Sequence, residues 1–97
     1  MNRNELISVG TSSLRVSEAK VANKRTTLTI VNSSTGTERI TISIDSEAVD
    51  LKGRVLYPGG VWDISRGDTF FPTQKQINVI SDQATAQISL AETYGED

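Results

Sequence analysis

The sequence predicts an all-β chain: a single antiparallel β-sandwich, jelly-roll or Ig-like, of about seven or eight short strands. Three observations carry this reading. Thr and Ser supply 22 residues, and Val, Ile and Thr together supply 28; β-branched side chains are stiff at χ1 and suit a pleated surface better than a helix. Apolar residues recur with period two along several short runs, which puts one face of each run inside. Turn-forming residues break these runs at intervals of roughly 8–12 residues, the rhythm of a sandwich or small barrel.

The elements follow in order. Leu6-Ile7-Ser8-Val9 and Leu14-Arg15-Val16 read as strands, and Ser17 to Asn23 as a stretch with room for a short helical turn. Thr27 to Asn32 sets Leu28 and Ile30 on one face and Thr27, Thr29 and Val31 on the other. In Glu38 to Asp45, Ile40, Ile42 and Ile44 face in and Thr41 and Ser43 face out. The Asn32-to-Thr37 turn cluster between these runs predicts a hairpin. Asp45 to Asp50 reads as a loop or one helical turn. Gly53 opens a strand through Val55, Leu56 and Tyr57, and Pro58-Gly59-Gly60 reverses the chain, since proline presets φ and glycine accepts positive φ. Val61 to Ser65 returns with Trp62 and Ile64 on the core side. Gln76 to Ser81 and Thr85 to Ala91 are the last strands, joined near Asp82-Gln83, with Ala86, Ile88 and Leu90 sharing a face. The domain division is an N-terminal arm or first strands over 1–24, a sandwich core over 25–92 and an acidic tail over 93–97.

At 97 residues the chain is one domain with a thin core. It has no cysteine to reinforce that core, and small folds of this kind often borrow burial from a partner or a symmetry mate. No apolar run approaches 18 residues, and Met1 to Glu5 leads into mixed sequence with no secretory pattern; the expectation is synthesis in a cytoplasm and no membrane partner. Net charge is −2, which argues against a nucleic-acid partner. The charge is uneven: Arg3, Arg15, Lys20, Lys24 and Arg25 lie near one end, and Asp82, Glu92, Glu96 and Asp97 near the other. Such asymmetry could bring one copy's N-terminal region to another's C-terminal tail, or leave both ends simply solvated.

The chain has no histidine and no cysteine, which removes Ser-His-Asp triads, Cys-His dyads and thiolate zinc sites. No nucleophile–base pair and no phosphate loop emerges, so no enzyme activity, cofactor or metal is expected. Asp45, Glu47 and Asp50 could gather oxygens around calcium, but their spacing fits no EF-hand and a solvated acidic loop is the simpler reading. Arg66-Gly67-Asp68 reads as a tight turn, and Asn32-Ser33-Ser34 matches a glycosylation pattern that matters only after export.

Four of five aromatics, Tyr57, Trp62, Phe70 and Phe71, fall within fifteen residues. Trp62 reads as core. Phe70 and Phe71 are adjacent, so in an extended segment one ring faces away from the core, where exposed aromatics favour docking; in a loop both turn inward. The aromatic band and the basic N-terminal region supply the interface candidates Phe70, Phe71, Tyr57, Arg3 and Arg15.

From Thr26 to Glu92 the chain resembles small phage virion proteins. The resemblance rests on Gly53, Leu56, Pro58-Gly59-Gly60, Ile77, Ile80-Ser81, Ala86 and Ser89-Leu90-Ala91-Glu92, which match a "G-x-x-L-x-P-G-G" turn, an "I-x-x-I-S" run and a closing "A-x-(I/L)-S-(L/V)-x-E" strand. Leu28 to Ser33 looks like the "L-x-I-x-N-x-S" opening strand of such proteins. The resemblance implies a non-enzymatic β-sandwich in a virus particle, assembled in the host cytoplasm: a capsid decoration, head-fibre or tail accessory protein binding the major capsid or another virion protein and neighbouring copies as a homo-oligomer. The N-terminal 25 residues match none of these motifs and suggest an arm across the capsid surface. A different class is a carbohydrate-binding or adhesin-like sandwich with a platform of Tyr57, Trp62 and Phe71.

Overall fold

A computed structural model describes residues 2–20, 25–65 and 73–94. Their order is β1 (Asn2–Val9), β2 (Leu14–Ser17), β3 (Arg25–Asn32), β4 (Ile40–Ile44), β5 (Arg54–Leu56), β6 (Val61–Ser65), β7 (Ile77–Ser81) and β8 (Ala86–Tyr94). They form two antiparallel four-stranded sheets, β1-β8-β3-β6 and β2-β7-β4-β5. The result is an all-β sandwich with a radius of gyration of 13.0 Å, the value expected of one compact domain of about 100 residues.

Period-two alternation fixes which side chains meet between the sheets. Val9, Leu28, Ile30, Ile88 and Leu90 come from the first sheet and Val16, Ile40, Ile42, Ile77 and Val79 from the second, all at most 3% exposed. Trp62 and Ile64 take the inward phase of β6 as expected, but they are only partly buried against this core. β6 is an edge strand, and the Arg54 guanidinium lies 5.1 Å from the Trp62 ring centre.

The expected β3–β4 hairpin does not form: the two strands belong to opposite sheets. Asn32 accounts for the crossing. Its side chain is fully buried at the end of β3 and donates to the carbonyls of Glu38 and Leu56, 2.8 Å each, at the approaches to β4 and β5. The Pro58-Gly59-Gly60 turn is present, with Gly60 N–H donating to Tyr57 O at 2.7 Å and Gly59 at φ 86°. It too carries the chain between sheets, docked on the Asn32 backbone through Gly59 N–H to Asn32 O, 2.8 Å, and Asn32 N–H to Gly60 O, 3.0 Å. Among the described residues, β4 and β5 are the only consecutive strands that pair.

The segment expected as an arm or first strands supplies an edge strand to each sheet: β1 pairs with β8 from Asn2 to Val9, and β2 pairs with β7 through a bulge. Three other expectations need amendment. β8 continues past Ala91 to Tyr94, into the span expected as tail. Thr41, expected to face solvent, is fully buried, because residues 45–53 fold back over the outer face of the second sheet. Ser17 ends β2 and residues 18–20 are not helical; the rest of that expected helical turn lies outside the described residues.

Candidate docking surfaces

One end of the sandwich is closed by a buried ionic hub. Arg25, at the start of β3, and Glu92, on β8, have fully buried side chains joined by Nε donation to Oε2 at 2.8 Å. The remaining Arg25 donors reach Ser17 Oγ (2.6 Å), Glu18 O (3.0 Å), Thr73 O (2.6 Å) and Lys75 O (3.0 Å). Glu92 also accepts from Ser17 Oγ and Tyr94 OH, both at 2.6 Å, and from Arg3 at 3.3 Å. Burial pushes the Glu92 carboxyl up, but the bonds from Ser17, Tyr94 and Arg25 outweigh it and hold its pKa below the usual glutamate value. With every strong acceptor and donor occupied, this hub ties elements together and offers nothing to a substrate.

The outer face of the first sheet is open. Cross-strand register aligns Leu6, Ser89, Val31 and Val61 in one row and Asn4, Ala91, Thr29 and Asp63 in the next. The small residues Ser89 and Ala91 form the floor of a groove of about 380 Å³ along β8, walled by Asn4 and Leu6 on one side and Thr29 and Val31 on the other. Leu6 is 65% exposed and Val61 54%. At the groove's borders Glu5 on β1 is paired with Arg3, and Asp63 on β6 accepts from Thr29 Oγ1 at 2.8 Å.

The outer face of the second sheet is capped by residues 45–53. Asn78 Nδ2 donates to Ser46 O (2.6 Å), Ala48 N–H to Ser13 Oγ (2.9 Å) and Leu51 N–H to Thr41 Oγ1 (3.0 Å). Arg39 grips Asp50 with two bonds, 3.1 and 2.6 Å. These bonds lead the causes that lower the Asp50 pKa. Asp50 is thus an ion-pair partner, and among the described residues no group of three or more Asp, Glu, His or Cys is placed to hold a metal. Val49 to Lys52 is a tight turn closed by Lys52 N–H to Val49 O at 3.0 Å, with Leu51 at φ 67°. Val49 and Leu51 project from it, 51% and 57% exposed.

The interface candidates separate on this frame. Phe70 and Phe71 lie outside the described residues, as do Arg66-Gly67-Asp68. Tyr57 is 62% exposed, just beyond β5 and within electrostatic reach of Arg39. Arg3 is half-buried, bound to Glu5, Glu92 and the Val16 carbonyl. Arg15 pairs with Glu18 at the surface, 3.2 Å. The charge complementarity expected between copies is realised within the chain where Arg3 and Arg25 meet Glu92. Tyr57 and Trp62 do not share a platform: Tyr57 stands in solvent, and Trp62 packs on the core beneath Arg54. The hub, the Asn32 tie and the Leu51 turn were missed from sequence. One signal was available, since Glu92 continues the inward phase of Ala86, Ile88 and Leu90. No protein-family model matches the chain, and no curated protein matches it.

Proposed function

We propose that this chain is a non-enzymatic structural protein of a virus particle, a capsid decoration or accessory protein that binds the shell and neighbouring copies. The sandwich is, in this reading, a jelly roll. The observation that carries it is the strand order. Two sheets ordered 1-8-3-6 and 2-7-4-5 are what results when an eight-stranded antiparallel ribbon is rolled up as two Greek keys, the architecture of viral capsid and lectin domains. The turn and strand motifs that resemble phage virion proteins fall on structural joints of this wrap, at Asn32, Pro58-Gly59-Gly60 and Glu92. Function would reside in outer surfaces multiplied by symmetry. The test is rebinding: particles stripped of accessory proteins should take up the purified chain to a saturating copy number. Failure to bind stripped particles would overturn the reading.

A carbohydrate-binding module is the second reading, favoured by one observation: exposed Tyr57 stands near the Arg39–Asp50 pair. An aromatic face beside fixed polar groups suits a sugar ring. Glycan binding that is abolished by Tyr57→Ala would favour this reading; a blank glycan array would remove it.

A further inference from the structure

The cap over the second sheet leaves a recess beside it whose walls are fixed. Ile77 and Val79 point into the core, so Asn78 between them points outward. It stands in register with Arg15 of β2 on one side and Ser43 of β4 on the other. Residues 45–48 pass over the Ser43 side, where Ser43 and Ser46 share a bond of 2.7 Å, and leave the Arg15 side open. Three bonds pin this passage: Asp45 N–H to Gln76 O (2.9 Å), Asn78 Nδ2 to Ser46 O (2.6 Å) and Ala48 N–H to Ser13 Oγ (2.9 Å). Between cap and β2 lies a recess of about 450 Å³ lined by Ser13, Arg15, Glu18, Glu47, Gln76 and Asn78. Small-ligand sites run from about 300 to 1,000 Å³, and this one falls within that range.

Asn78 forms the floor, and it is only 5% exposed. Its Nδ2 bond to Ser46 O fixes which way the amide points. Among the described residues nothing donates to its Oδ1, and none of their buried side-chain polar atoms lacks a partner, so Oδ1 opens into the recess. An acceptor set on a nearly buried side chain and left free by the chain suits a donor from a ligand. Glu47 and Gln76 likewise have no side-chain partner among the described residues. Ser13 Oγ accepts from Ala48 N–H, which leaves its hydroxyl proton to donate. Arg15 gives one nitrogen to Glu18 and keeps the others. Donors and acceptors therefore stand side by side. An anion would meet Glu18, Glu47 and the Asn78 oxygen, and an ammonium would meet Arg15. A sugar hydroxyl donates and accepts at once, and adjacent hydroxyls suit a carboxylate or an amide.

We propose that this recess binds a sugar. Asn78 Oδ1 accepts from a hydroxyl at the floor, Glu47 and Gln76 take neighbouring hydroxyls, and Ser13 and Arg15 donate to sugar oxygens. Because the cap is already pinned, these groups are held before the ligand arrives, which limits the entropic cost of binding. The site is separate from Tyr57, which does not line the recess, and it goes beyond the particle role without resting on it.

The experiment titrates isotope-labelled protein with the methyl glycosides of glucose, galactose, mannose, fucose and N-acetylglucosamine, and follows the side-chain amide resonances of Asn78 and Gln76 by NMR. At least one glycoside, taken up to about 50 mM, should shift both resonances and saturate with a Kd of a few millimolar or below. Glu47→Ala and Gln76→Ala each remove a side chain that the fold does not use. Each should weaken that binding about fivefold or more, read at Asn78, with the rest of the spectrum unchanged. Tyr57→Ala should bind as the wild type does, and inorganic phosphate and methylammonium should leave both resonances in place. No shift with any glycoside, full binding by both recess variants, or a stronger response to either ion would overturn the site. Sugar binding that is lost in Tyr57→Ala would also overturn it and move the sugar to the Tyr57 surface. No particles enter this assay, so its failure leaves the particle role standing, and failure to bind stripped particles leaves the recess standing.

Discussion

Removing one partner of the Arg25–Glu92 pair should cost more than any surface change in this protein. Both side chains are fully buried, and Glu92→Ala strands an Arg25 guanidinium whose other bonds go to the Ser17 hydroxyl and three backbone carbonyls. Breaking a buried pair this way costs about 3–5 kcal/mol, against a total stability of about 5–15 kcal/mol for a domain of this size. With a urea m-value of about 1.5 kcal/mol/M, the midpoint falls by about 2–3 M. Arg25→Leu should cost a similar amount, because it leaves Glu92 charged and the carbonyls of Thr73 and Lys75 without these donors. The double variant Arg25→Leu/Glu92→Leu should lose less than the sum by at least about 2 kcal/mol, since no unpaired charge remains. Urea unfolding followed by far-UV circular dichroism and by the fluorescence of the single tryptophan, Trp62, measures all three. A Glu92→Ala loss below about 1 kcal/mol, or strictly additive losses, would refute the assignment of the hub as the main polar tie.

Further outcomes follow from other ties. The carboxyls of Glu92, Asp50 and Glu38 all titrate below their ordinary values, so each unfolds with uptake of protons in acid; their stabilisation is present above about pH 4 and is lost as pH falls through the depressed values, which thermal melts from pH 7 to pH 2 would record as a declining midpoint. Gly53 stands at φ 139°, and a Cβ there would meet Ile42 O at 2.3 Å, so Gly53→Ala should destabilise by about 2 kcal/mol or more in urea unfolding. Asn32→Ala leaves the carbonyls of Glu38 and Leu56 without these donors and should cost about 2–4 kcal/mol, seen as a lower melting temperature with an unchanged spectrum below it.

The residues gave away the strands more readily than their partners. Alternation at Leu28 and Ile30, at Ile40, Ile42 and Ile44, and at Ile88 and Leu90 marks the inward face correctly, because a strand buries alternate positions whatever it pairs with. It does not say which sheet a strand joins. The turn residues after Asn32 and at Pro58-Gly59-Gly60 look the same for a hairpin as for a crossing between sheets; what decides is the Asn32 side chain reaching two carbonyls remote in sequence. Thr41 illustrates the same limit, since its phase is outward and yet the 45–53 loop covers it. Of the candidate sites, the exposure of Tyr57 was foreseeable from the turn that follows it. Leu51 gave no sequence signal, because its meaning lies in a positive φ that only the folded loop imposes.

The most direct test of the proposed role is the copy number of this chain in purified virus particles, counted by quantitative mass spectrometry against the major shell protein. A fixed ratio set by the symmetry of the shell or its appendage is the expected result. Absence from particles, or a trace amount that varies between preparations, would contradict it.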